Sequence, residues 1–259
     1  MRIISLSPSA TEILFAVGIG VDIIANTIYC DYPSQAKSIP KIGSWIRIDI
    51  EKIKQMKPDI LFTSSIVQEK IYQQLKDANL HVCHTDPRSL EGIYESILEI
   101  SQAVSEITTA KKIVVEMRTE EKRVRRMKHK SRPKLYIEEW FNPPMVSGNW
   151  VPDIAELAGF SYGIVKSGEL SRAITLEEVA EYDPDIILSS YCGFGKNSNP
   201  NHILRRSGWN TLRAVKEKHL YTIDETILNR PGPRILQAAK DIRKATSLRG
   251  QSQQDEAIP

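Results

Sequence analysis

The sequence predicts an α/β protein of two similar halves, each built on a parallel sheet and joined by a long helix. Three observations carry this. Apolar strand patterns alternate with amphipathic helix patterns on both sides of the chain's middle. Between them, from Ser89 to Lys130, the chain runs without Pro and with Gly92 as its one breaker, while apolar residues recur at helical spacing. Finally, "IDIEKIKQMKPDILFTSS" (Ile48–Ser65) and "ITLEEVAEYDPDIILSSY" (Ile174–Tyr191) align without a gap, sharing an acid at the helix start, a Pro-Asp turn and an apolar strand.

The elements follow in order. A strand over Arg2–Leu6 leads into "SPSATEILFAVG", where Ser9 and Glu12 have capping-box spacing, Ile13, Leu14 and Val17 form the buried stripe, and Gly18 ends the helix. A short strand near Ile23–Ala25 is followed by an aperiodic connection, a helix over Asp49–Met56, the strand "DILFTS", a helix over Gln68–Ala78 and the strand "LHVCH". Such alternation implies a parallel sheet covered on both faces. Ile93, Ile97, Ile100, Val104, Ile107, Ile113, Val114 and Met117 mark the face of one or two long helices, which Pro133 stops. A second alternating section then begins: strand "KLYIEEW", a loop with Pro143 and Pro144, a helix over Pro152–Ala158, strand "DIILSS", the loop "YCGFGKNSNP", a short helix near Ile203–Arg206, strand "LYTID" and a last helix over Ile235–Thr246. The reading divides the chain into a first lobe at 1–105, a connecting helix at 106–132, a second lobe at 133–248 and a flexible tail at 249–259.

Composition excludes several function classes. The 35 basic and 32 acidic residues of this 259-residue chain are interspersed, so no strong phosphate-binding field arises and nucleic acid is not an expected partner. The basic run from Lys122 to Lys134 reads as a solvated helix end. Cys30, Cys83 and Cys192 have no disulfide or zinc spacing, and the five histidines are scattered, so no metal site is expected. Free thiols and the absence of an export-signal pattern point to the cytoplasm as the chain stands, and to an extracytoplasmic protein if a signal has been removed. Neither GxGxxG, GxxxxGK[ST] nor GxSxG occurs, which argues against phosphate chemistry and against a serine hydrolase.

What stands out instead is aromatic and polar loops at strand ends. "TIYCDYPSQAKSIPKIGSW" (Thr27–Trp45) carries Tyr29, Cys30, Tyr32 and Trp45 in a connection that solvent would not favour. Pro33 and Pro40 stiffen it, and Asp31 and Tyr32 suit internal bracing. In the second half Trp140, Asn142, Trp150, Cys192 and Phe194 are similar candidates, each ring serving either a ligand or the core, and Trp150 either a ligand or its own helix. Cys30 is either a small buried side chain or a thiol near a ligand.

In order along the chain, "IISLSPSATEILFAVG", "YCDYP", "IGSW", "KPDILFTS", "NPPMVSGNWVPDIAELAG", "DPDIILSSYCGFG" and "RPGPRILQAAK" resemble the vitamin B12-binding proteins among the substrate-binding proteins of ABC transporters, from about Arg2 to Thr246. The resemblance implies two Rossmann-like lobes joined by one backbone helix. It also implies non-enzymatic binding of cobalamin or another corrinoid in the cleft between the lobes, with no intrinsic cofactor, by a monomer. Iron–siderophore and haem receptors share that architecture. Carried over residue by residue, the resemblance assigns ligand contact to Ser9, Tyr29, Trp45, Met145 and Arg230, with Ser171 and Thr226 standing where the family has a ring and an acid. Glu51 and Glu177 match the acids that dock such proteins onto a permease; as helix-start acids they also complement the helix dipole. The alternatives are an iron-chelate or haem binder and a cytosolic corrinoid-processing enzyme using the thiolate of Cys30 or Cys192.

Overall fold

The computed structural model describes residues 1–127 and 131–247. They fall into two compact units. The first comprises Met1–Pro87, Glu91–Arg118 and Pro231–Pro233; the second comprises Arg88–Leu90, Thr119–Arg230 and the described residues from Arg234 on. The expected tail at 249–259 and His129 lie outside the described residues.

In the first unit the chain runs through β1 (Ile3–Ser5), α1 (Pro8–Ala16), β2 (Ile23–Asn26), α2 (Ile50–Gln55), β3 (Ile60–Ser64), α3 (Glu69–Asp77) and β4 (Val82–Thr85), followed by α4 (Leu90–Ala103) and α5 (Ile107–Arg125). The sheet has the order β2-β1-β3-β4 and every pair is parallel, as the alternation predicts. Ile4, Leu6, Ala25, Ile42, Ile53, Leu61, Ile71 and Leu75 form one buried cluster on this sheet. Each fully buried Ile or Leu contributes about 1.5–3 kcal/mol, which is why these strands and helices form together. The division between units falls inside α5, and the helical stretch after Ser89 is two helices, α4 and α5, because Ser105, at φ +64°, interrupts it.

The start of α1 differs from the expected capping box. Pro8, with its fixed φ and missing N–H, takes the first helical position, so the cap is Ser7, whose side chain accepts from the N–H of Ala10. Ser9 lies inside the first turn, its Oγ 2.8 Å from that of Ser7. Gly18, at φ +94°, closes the helix as expected.

The second unit contains β5 (Leu135–Phe141), β6 (Pro144–Val146), α6 (Val151–Leu157), β7 (Arg172–Ala173), α7 (Leu176–Tyr182), β8 (Ile186–Ser189), α8 (Asn201–Leu204), α9 (Arg213–Lys216), β9 (Leu220–Thr222), α10 (Glu225–Leu228) and α11 (Ile235–Ser247). Its sheet, β7-β6-β5-β8-β9, is mixed. β5, β8 and β9 are parallel, but β6 and β7 run antiparallel, which corrects the expectation of two purely parallel sheets. The Pro143–Pro144 segment, read as a loop, is the turn and first residue of a hairpin that returns beside β5, a connection too short for a parallel crossover.

The internal echo extends to tertiary detail. Asp49 and Thr175 cap α2 and α7, accepting from the N–H groups of Lys52 and Glu178. Lys57 and Asp183, equivalent positions after each helix, both have φ +47°. The carboxylates of Asp59 and Asp185 then accept the backbone N–H of Arg2 and Lys134, the residues before β1 and β5, at 2.6 and 2.7 Å. In return the Arg2 guanidinium and Lys134 Nζ donate to the carbonyls of Met56 and Tyr182, at 2.6 and 2.9 Å. In each unit, therefore, a basic strand-leading residue satisfies a helix C-terminus and an acid satisfies the strand start.

Candidate functional site

Parallel sheets expose their ligand-accessible loops at the carboxyl ends of the strands, and in both units the predicted residues concentrate there. In the first unit the ring-rich connection leaves β2 at Asn26, which acts as its anchor. Asn26 N–H donates to Pro40 O, Asn26 O accepts from Ile42 N–H, and Nδ2 donates to Ala36 O at 3.0 Å. Lys41 Nζ donates to Asn26 Oδ1, Ala36 O and Cys30 O at 2.6, 2.9 and 3.2 Å. Burial lowers the pKa of this ammonium, and the three acceptors compensate its lost hydration. Cys30 is fully buried, its Sγ 3.2 Å from Thr27 Oγ1, and burial pushes its thiol up. Bracing by Asn26 and Lys41 leaves Tyr29 and Tyr32 on the surface, 42% and 45% exposed, beside exposed Ile28.

Trp45 sits at the tip of a tight return between Gly43 and Ile48, which pair antiparallel. Gly43 has φ +147°, and a Cβ there would lie 2.3 Å from Arg47 O, so this turn requires glycine. The Trp45 carbonyl accepts from Gln68 Nε2 at 2.8 Å. Gln68, fully buried, also donates to Leu6 O at 3.0 Å and accepts from Ser64 N–H at 2.7 Å. One amide thus ties the ends of β1 and β3 to the Trp45 turn. No sequence signal marks it, because its partners are backbone groups distant in the chain. The Trp45 Nε1 atom is buried and, among the described residues, has no acceptor. Ser9 is buried near Gly232, whose Cβ position would be 3.9 Å from the Ser9 carbonyl. Replacing Gln68 by Leu is expected to destabilise the protein by about 1–3 kcal/mol, since it strands buried backbone groups. It should also raise hydrogen exchange over residues 43–48; unchanged exchange there would mean that Gln68 is not the tether.

In the second unit Trp140, Phe141, Tyr191, Phe194 and His202 form one ring array. Trp140 and Phe141 stack at 5.0 Å, His202 lies flat on Phe141 at 4.1 Å, and Phe194 meets Trp140, Phe141 and Tyr191 edge-on at 6.1, 5.9 and 6.1 Å. Phe194 is 37% exposed and His202 is exposed. Met145 is half-buried opposite Trp140 in the β5–β6 pair. Trp150 lies deeper, 8% exposed, its Nε1 donating to Leu228 O at 2.8 Å.

Beneath the array a fully buried carboxylate organises the strand ends. Glu138 receives Arg206 in a two-pronged pair at 2.8 and 3.0 Å and the phenols of Tyr136 and Tyr191 at 2.9 Å each. Arg206 also donates to Phe141 O at 2.8 Å and lies over the Trp209 ring at 4.2 Å. Burial, then the Glu138 charge, holds both phenols far above their usual range. The Cys192–Phe194 loop is pinned by Glu225, whose carboxylate accepts from Gly193 and Gly195 N–H and faces Arg230. Cys192 Sγ is 3.2 Å from Asn229 Nδ2, and burial followed by Glu139 and Glu225 pushes its thiol up to about 12. Neither Cys30 nor Cys192 is therefore a thiolate nucleophile at neutral pH.

Glu139, on the face of β5 opposite to Glu138, accepts from Ser171 Oγ at 2.8 Å, and burial raises its carboxyl to about 7. Glu51 and Glu177 are exposed on the first turns of α2 and α7; Glu51 pairs with Lys54 at 2.9 Å. Among the described residues no three His, Cys, Asp or Glu side chains gather to hold a metal, and no helix is long and apolar enough to cross a membrane. The sequence reading did not single out Gln68, Glu138, Phe141, Tyr191 or His202. Phe141 adjoins the quoted motifs and Tyr191 lies within them, whereas the convergence of Glu138 and Arg206 has no local signature.

Two α/β units whose strands end in braced, ring-bearing loops suit recognition of a ligand. The chain belongs to the periplasmic binding protein family, whose sequence model matches residues 3–227. It is similar to the vitamin B12-binding protein of Vibrio cholerae, 25% identical over 245 residues that cover 93% of this chain and 87% of that protein. Among solved structures it is similar to a protein of Staphylococcus epidermidis described as a possible iron-binding, periplasmic solute-binding protein (27% identity, TM-score 0.78, 94% of this chain and 97% of that one). It also superimposes on the S. aureus haem complex of IsdE (20% identity, TM-score 0.83, 95% and 98% coverage). The chain is thus a substrate-binding protein of the ABC-transporter type; the similar proteins just named are described as B12-binding, as possibly iron-binding and as a haem complex, respectively.

Proposed function

We propose that this protein binds cobalamin or a related corrinoid through the strand-end loops of its two units and presents it to an ABC permease on the extracytoplasmic side. The observation that carries the reading is the supply of aromatic faces: Tyr29 and Trp45 in one unit, and the Trp140–Phe141–Phe194–His202 array in the other. A corrin is a broad apolar macrocycle fringed with amides. Rings cover its faces, each contributing on the order of 1 kcal/mol beyond burial, and the Met145 thioether adapts to an irregular rim. Ser9, in the first turn of α1 after β1, and Arg230, after α10, add polar groups, and the buried Trp45 Nε1 is a donor suited to an amide carbonyl. Glu51 and Glu177, equivalent on the two units, are the proposed permease contacts.

Haem or a ferric chelate is the second reading, favoured by the exposed His202 imidazole, a nitrogen ligand suited to iron. Titration with cyanocobalamin, cobinamide, haemin and a ferric siderophore, followed by tryptophan quenching and absorption, separates the two. Corrinoids are expected to bind most tightly, and Trp45→Ala should weaken them by at least about tenfold, as for a buried ring anchor. Absence of corrinoid binding below about 1 mM, roughly −4 kcal/mol, would overturn the proposal. The double variant E51A/E177A should bind corrinoid normally yet fail to stimulate ATP hydrolysis by the permease.

A further inference from the structure

One acid in the second unit plays no part in the bracing described above. Glu139 stands next to Trp140 and Phe141 on β5, and its backbone carbonyl accepts from Cys192 N–H at 3.2 Å, so it lies among the candidate ligand residues. Its side chain is only partly covered. Ser171 Oγ accepts from Gly148 N–H at 2.9 Å and gives its proton to Glu139 Oε2. The hydroxyl is therefore committed, and the carboxyl is fixed as an acceptor. Gly148 makes this possible, since any Cβ would fall within 2.4 Å of Glu169 O and 2.6 Å of Ser171 N. The titratable groups facing Glu139 are Tyr162 and Cys192, with Glu225 beyond Cys192. Arg230 faces Glu225.

We propose that Glu139 selects the ligand by its fringe, favouring a rim of hydrogen-bond donors such as amide N–H and opposing a rim of carboxylates. This rests on the reading of the strand-end loops as the ligand site. A carboxylate brought near Glu139 meets like charge in a poorly hydrated pocket, whereas an amide N–H meets an acceptor. Because Glu139 titrates at about 7, the discrimination follows pH. Ionised above that value it repels carboxylates; protonated below it, it tolerates them.

The test keeps the macrocycle constant and changes one rim group, comparing cyanocobalamin with its monocarboxylate formed by amide hydrolysis. Wild type is expected to prefer the amide form about tenfold more at high pH than at low pH, a factor set by one charge. Glu139→Gln should erase the pH dependence and bring the ratio near unity. Ser171→Ala, which removes the hydroxyl that stabilises the ionised carboxyl, should move the midpoint of the selectivity curve to higher pH. A wild-type ratio independent of pH, or one retained by the glutamine variant, overturns the inference while leaving corrinoid binding intact. Failure of wild type to bind either form overturns the underlying reading and the inference with it.

Discussion

Replacing Arg206 by Met is expected to destabilise the protein by about 3–5 kcal/mol, the usual consequence of leaving one member of a buried ion pair alone. Glu138 has no exposed surface, and Arg206 supplies two of the four hydrogen bonds its carboxylate receives. The phenols of Tyr136 and Tyr191 cannot neutralise it. The loss should appear as a fall of about 10 °C in the thermal midpoint. It should also reach the ring array, because Arg206 holds Phe141 O and Glu138 holds Tyr191. Corrinoid affinity should therefore fall even though Arg206 touches no ligand in this reading. Adding Glu138→Gln removes the stranded charge and should recover part of the stability; a double variant no better than R206M would show that the pair's charge is not what matters.

Gly43→Ala is the second large effect. The new methyl meets Arg47 O at 2.3 Å on a backbone at φ +147°, so both strain and overpacking apply, and together they amount to about 2–4 kcal/mol. The Gly43–Ile48 return must open, which releases Trp45 from its position over Gln68. Urea unfolding followed by tryptophan emission measures both consequences: a lower midpoint and a red-shifted native spectrum. A native spectrum identical to wild type would mean that the turn adapts without moving the ring.

A third expectation concerns pH and stability. Glu139 has its carboxyl raised from the ordinary 4.5 to about 7, so the folded state holds a proton that the unfolded chain releases. Stability is therefore fullest below the ordinary carboxyl value and declines as pH rises through about 7, by on the order of 2 kcal/mol. Thermal midpoints of wild type should fall across that window more steeply than those of Glu139→Gln. Parallel curves would contradict the assignment.

Much of the architecture was legible because its signals are local. Apolar alternation, the Pro-Asp turns and Gly18 act within a few residues, so the α/β alternation, the long helical stretch after Ser89 and the internal echo could be read directly. The spacing in that stretch leaves one helix or two open, and the division is made at Ser105. Tyr29 and Phe194, which the structure leaves exposed, and Trp45, whose ring nitrogen is buried, all stand where nearby glycine and proline argue against helix or strand. Local rules also misled where two competed. Ser9 and Glu12 have capping-box spacing, but Pro8 is fixed in the first helical position, so the cap moved to Ser7. The prolines after Phe141 signal a break, and the same break serves a hairpin that makes the second sheet mixed.

The sequence by itself determined the alternating elements, their order and the chemistry of the loops that end them. The tertiary structure decided which of those loop residues are anchors and which are faces. Lys41 and Gln68 became braces because they meet backbone carbonyls brought near by strand order. Glu138 found Arg206, 68 residues away, only when β5 and the segment after α8 converged. Such partners are long-range, and a buried charge or amide carries no periodic pattern; burial and the need to satisfy every polar group select them after the chain has closed.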